Sequence, residues 1–145
     1  MVNNSMSKGY CGRMELFAED ESTAIYRYCG ENWNDEGETR GSWDNMDGEI
    51  LIQKRCLVEP EIHERMKKTA SHKKVLVTKR IVQSFDLGAA IRNGDIEILK
   101  PCTSEYSHGV GLGIDRMYFA MKLLYKLFTE YQEQGKLPEK CSFIV

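Results

Sequence analysis

Between Met14 and Ile50 the chain has almost no positive charge: Arg27 and Arg40 stand against eleven acidic residues, a net charge of −9 for that window. Such a balance excludes this part of the chain as a phosphate-binding surface, which needs a basic excess. Long apolar runs are missing as well. No stretch approaches the ~18 residues of a membrane-spanning helix, and residues 1–12 lack the apolar core of a signal peptide. The expectation is therefore a cytoplasmic protein with no membrane contact, a disordered leader over 1–12, and one domain over 13–145. A chain of 145 residues is long enough to bury roughly 70% of its unfolded surface around a single core.

Metal and redox chemistry also lack their usual spacings. Cys11, Cys29, Cys56, Cys102 and Cys141 contain no C-x-x-C, and His63, His72 and His108 lie far apart. The cysteines read as small buried hydrophobes in a reducing compartment, not as a zinc site or a disulfide framework. Asp44-Asn-Met-Asp-Gly-Glu49 has the look of a calcium loop. With Gly48 placed on the invariant glycine, however, Trp43 falls at the first ligand position and Lys54 at the terminal glutamate. Neither a metal nor a cofactor is expected.

What is present is one long amphipathic segment. From Ile114 to Gln134 large apolar side chains recur at Ile114, Met117, Met121, Leu124, Phe128 and Tyr131, widened by Phe119, Ala120, Leu123 and Leu127. Steps of three and four keep returning to one helix face. Asp115 suits the positive end of the dipole, and Gly135 with Pro138 ends the helix.

Upstream, Arg13–Phe17 and Thr23–Tyr28 carry the aromatic and β-branched character of strands, joined by the tight link AEDES. Residues 29–48 follow as a loop, then a strand over 49–56. Pro60 is placed as the first residue of a helix with Ile62 and Met66 on its buried side. Val75–Val82 reads as a strand, DLGAAIRN as a short helix, Asp95–Leu99 as a strand, and CSFIV as a last one. This order predicts an α+β domain: a mainly antiparallel sheet packed against one long C-terminal helix, plus two shorter helices.

For function, the acidic window is the most informative stretch. Trp33 and Trp43, accompanied by Asp35, Glu36, Glu38, Asp44 and Asp47, combine aromatic anchors with charge of one sign, as protein-binding hot spots do. The leading expectation is a non-enzymatic protein-binding module, of the immunity or inhibitor type, neutralising a basic partner such as a nuclease toxin. Direct nucleic-acid binding is disfavoured by the overall net charge of −2, although sixteen Lys/Arg follow Leu51. The alternative is a small enzyme or ligand-binding domain with a site near Cys102, Glu105 and His108 and the glycine loop 109–113, where glycines precede a helix start. Tyr118, Tyr125 and Tyr131 extend aromatic surface beyond the main stripe of the long helix, which also admits a homodimer.

Overall fold

The computed structural model describes residues 8–108 and 117–145. The fold is α+β, with two α-helices and antiparallel pairing throughout the described strands. Strand β1 (Tyr10–Glu19) and β2 (Thr23–Asn32) form the expected hairpin, longer than the sequence suggested at both open ends. Residues 10–12, assigned to the leader from sequence, are paired with Gly30–Asn32. Asp20 makes the turn: its Oδ1 accepts the amides of Ser22 and Thr23 at 2.9 and 2.8 Å. Those hydrogen bonds, Ser22's first, hold its carboxyl below the ordinary value. Phe17 is skipped at a bulge between Leu16 and Ala18, and the Arg27 guanidinium lies 3.7 Å from its ring centre.

Strands β3 (Gly48–Gln53), β6 (Ile96–Lys100) and β7 (Lys140–Ile144) complete a five-stranded sheet of order β6-β3-β2-β1-β7. Its inner face alternates as a half-buried antiparallel sheet must, with Met14, Ala24, Tyr26, Tyr28, Ile50, Ile52, Ile96 and Ile98 all buried. Across them lies helix α2 (Tyr118–Gln134). Phe119, Ala120, Leu123, Leu124, Leu127 and Phe128 fill the interface, while Met121 is only partly buried. The buried stripe thus centres on the residues expected to widen it. Burying side chains of this size is worth about 1.5–3 kcal/mol each before entropy is subtracted. Gly135 ends α2 in the left-handed conformation, its amide bonded to the Tyr131 carbonyl at 2.8 Å, as the sequence predicts. Ile114 and Asp115, expected to open this helix, lie outside the described residues.

The short helix α1 (Leu87–Arg92) also forms where expected, with the Asp86 carboxylate accepting the Ala89 amide at 3.0 Å. The segment after Pro60 does not. Instead of a helix it is strand β4 (Glu61–Lys68), paired with β5 (Lys74–Ile81) in a separate two-stranded sheet. Ile62 and Met66, four apart, satisfy a helical period, but an even step satisfies a strand period equally well. With two apolar positions the pattern carries no choice; the β-branched partner KVLVTKRI decides it. Pro60, just ahead of the strand, costs the ladder nothing. The link TASHKK is the hairpin turn, where His72 takes a positive φ of 65°.

Candidate functional site: an acidic loop clamped by Glu31

The acidic loop is shorter than expected, because β2 runs to Asn32 and β3 opens at Gly48. What orders it is Glu31, a residue the sequence did not single out. One carboxylate oxygen accepts the Trp33 indole N–H at 2.8 Å and the other accepts the Trp43 backbone amide at 3.0 Å. The Arg40 guanidinium closes on the same carboxylate at 3.6 Å. Trp43 is then fixed from the sheet side: Arg13 Nε donates to its carbonyl at 2.8 Å, with the guanidinium 5.4 Å from the indole centre. Both tryptophans are half-buried in consequence, not free anchors.

The acidic residues divide by task. Asp35 accepts the Gly37 amide at 2.7 Å and the Thr39 hydroxyl, making its own turn; those bonds, Thr39's first, pull its carboxyl below the ordinary value. Asp47 accepts the Thr103 amide at 3.2 Å and the Thr103 hydroxyl, tying the loop to the 3-10 turn at Thr103–His108. Glu15, Glu19, Glu31, Glu36 and Glu49 each face a cation: Arg13, Lys54, Arg40, Lys8 and Arg27 respectively. Ion pairs thus engage five of the eleven carboxylates between Met14 and Ile50, leaving six without one among the described residues. Glu38 and Asp44 are exposed without an ion-pair partner among the described residues, and the exposed Glu36–Lys8 pair is a long one at 3.9 Å. Asp44 and Met46 border a shallow hollow of about 370 Å³ on the outer face of the sheet, with Arg13, Glu15, Phe17 and Arg27.

At the second expected site, Cys102 and Glu105 do come together, but inside the core. Cys102 is fully buried, its Sγ 3.1 Å from the Ser104 hydroxyl and its amide donating to the Tyr28 hydroxyl at 3.1 Å. Burial pushes its thiol up to about 12, away from nucleophilic character. Glu105 is spent on structure: its carboxylate accepts the Tyr28 hydroxyl at 2.9 Å and the amides of Phe119 and Ala120 at 3.0 and 2.9 Å. It caps α2 from a distance, satisfying amides that Met117, at the N-cap, leaves open. Signals for this were absent from the sequence, since the cap is 14 residues from its helix. The side chain of His108 and the glycine loop 109–113 lie outside the described residues.

A more voluminous hollow than the one beside Asp44 lies elsewhere. A cleft of about 770 Å³ at the C-terminal end of α2 is lined by Leu16, Glu19, Lys54, Tyr131, Lys136 and Glu139 among others. Its walls mix both signs of charge and hold no nucleophile–base pair. Among the described residues no group of three or more His, Cys, Asp or Glu is arranged to hold a metal, and no helix is long and apolar enough to cross a membrane. No protein-family model, curated protein or solved structure matches the chain.

Proposed function

We propose that this chain is a non-enzymatic binding module that receives a basic protein on the acidic loop 33–47, in the manner of an immunity or inhibitor protein covering the basic active site of a nuclease toxin. The observation that supports the reading is the Glu31 clamp. Because one carboxylate holds both Trp33 and Trp43, the loop is ordered before any partner arrives, and little conformational freedom is lost on binding. Exposed Glu36, Glu38 and Asp44 then provide the charge that steers a cationic surface, and the open edges of the two indoles provide apolar contact.

The test is a pull-down from the native cells with the full chain, washed at low and then high salt. A stoichiometric basic protein is expected, retained by wild type and lost by the triple reversal Glu36→Lys, Glu38→Lys, Asp44→Lys. All three positions are exposed, so the fold should survive, as circular dichroism would verify. Equal retention by the reversed variant would remove the acidic loop from the interaction.

A further inference from the structure

The β4–β5 hairpin is the part of the molecule for which folding gives no account. Fifteen of its sixteen strand residues are exposed, Val77 alone being partly covered. Ile62, Met66 and Leu76 are 51, 58 and 56% exposed, far from the core. Two-stranded ribbons are marginal in water by themselves. This one is held at its root. Gln132, fully buried in α2, accepts the Gln83 amide at 2.6 Å through its side-chain oxygen and donates to the Gln83 carbonyl at 2.8 Å through its side-chain nitrogen. Its neighbour Tyr131 donates to the Glu59 carboxylate on the other leg. Both legs are thus pinned to adjacent residues of one helix, and the ribbon stands out from there.

Its charge runs opposite to the rest. Residues 61–81 carry seven Lys/Arg against two Glu, a net of +5. None of these seven has an ion-pair partner among the described residues, whereas Lys8, Arg13, Arg27, Arg40, Lys54, Arg55 and Lys140 elsewhere do. Lys68 and Lys74 sit directly opposite each other. Like charges in cross-strand register destabilise a ribbon. A local rule broken without a folding gain marks a place shaped by something other than folding.

From this we infer that the ribbon binds duplex DNA, lying in the major groove. The distribution of the cations selects that partner. Alternate residues of a strand point to opposite faces, and the register places Arg65, Lys67 and Lys79 on one face and Lys68 and Lys74 on the other, where Arg80 lies against Gly135 at the end of α2. A flat anionic surface, whether a membrane or an acidic protein, meets one face only and leaves the charge of the other idle. A groove has a phosphate backbone on each side. The major groove, about 12 Å wide, admits a two-stranded ribbon, and eight residues at ~3.3 Å reach about 26 Å along it. The major groove of A-form RNA is too deep and narrow for the same fit. The chain-wide balance that disfavoured nucleic acid averages this ribbon with an acidic loop on a different sheet. The inference stands apart from the protein-binding reading and does not depend on it.

The experiment is fluorescence anisotropy of a labelled 20-base-pair DNA duplex titrated with the full chain over a series of salt concentrations. Binding that weakens linearly in log K against log salt is expected. The double variant Lys68→Gln/Lys74→Gln should flatten that slope by about 2, roughly 0.9 for each phosphate no longer neutralised. Removing two facing charges relieves repulsion, so loss of fold is not the expected reason for weaker binding. Lys100→Gln, exposed at the end of β6, should leave the slope unchanged and serves as the control. Any of three results overturns the inference: no binding at tens of micromolar in low salt, a slope the double variant leaves intact, or equal or tighter binding of an A-form RNA duplex or of anionic lipid vesicles.

Discussion

Tyr28 in the centre of the sheet and Glu105 beyond its edge share a buried hydrogen bond of 2.9 Å, and through it the first turn of α2 is fastened to the sheet. The carboxylate has three donors and almost no exposure to water. Replacing it by alanine strands the amides of Phe119 and Ala120 and the Tyr28 hydroxyl. The expected loss is at least 1–3 kcal/mol for the unsatisfied groups, read from urea or thermal unfolding. A Glu105→Ala variant as stable as wild type would show that water replaces the cap without cost.

The same carboxylate gives a pH dependence with a definite sign. Burial pushes Glu105 above its ordinary value of 4.5, outweighing the Phe119 and Ala120 amides and the Tyr28 hydroxyl that pull it down. Between its unfolded and folded values the native state then binds more protons than the unfolded one, so this group's contribution falls as pH rises. It is largest below the unfolded value and constant above the folded one. Stability measured across that window should carry this downward slope, and Glu105→Gln should remove it. A slope unchanged in the Gln variant would assign it to other groups.

Gly48 tests how tightly the sheet closes on that cap. A Cβ there would lie 2.2 Å from the Tyr28 ring and 2.9 Å from the Cys102 amide nitrogen. Gly48→Ala should cost about 1–3 kcal/mol through overpacking. Gly37→Ala, whose Cβ meets only the Asp35 carboxylate at 3.3 Å, is the control and should be nearly neutral.

The thiols should be slow to react. Burial pushes Cys102 and Cys141 up to about 12 and Cys29 and Cys56 up to about 11. At pH 8 little thiolate exists in the folded protein. Alkylation followed by mass spectrometry should label the partly buried Cys56 first, and all five only in denaturant. Rapid native labelling of Cys102 would contradict its placement.

Glu31 and Gln132 make two further variants informative. Glu31→Ala frees the Trp33 indole while Arg13 still holds Trp43, so part of the tryptophan emission should shift to the red while the far-ultraviolet spectrum stays native. Gln132→Ala leaves the Gln83 amide and carbonyl unpartnered at the root of the ribbon. Hydrogen exchange at Gln83 and along β5 should accelerate, with stability falling by about 1–3 kcal/mol. Unchanged exchange there would mean that pairing within the ribbon holds it without the helix.

Local pattern was enough for much of this fold. Alternation in Thr23–Tyr28, the three-and-four spacing along α2, Asp86 ahead of LGAAIR and Gly135 after Gln134 are each decided by neighbours within a few positions. For the same reason the sequence itself determined the α+β class, the first hairpin and the last strand. Whether EIHERMKK is helix or strand was not decided there, because Ile62 and Met66 fit both periods and the partner strand chooses. Nor was the fate of charge. Glu31 and Glu38 are equal in sequence, yet one is locked onto two tryptophans and the other is exposed to water. Cys102 and Glu105 have side chains suited to chemistry, and only the approach of Tyr28 and α2 puts them to structural use. Sequence supplies side chains and their periodicity; tertiary structure determines their partners, because hydrogen bonds and ion pairs act over a few ångströms between residues tens of positions apart.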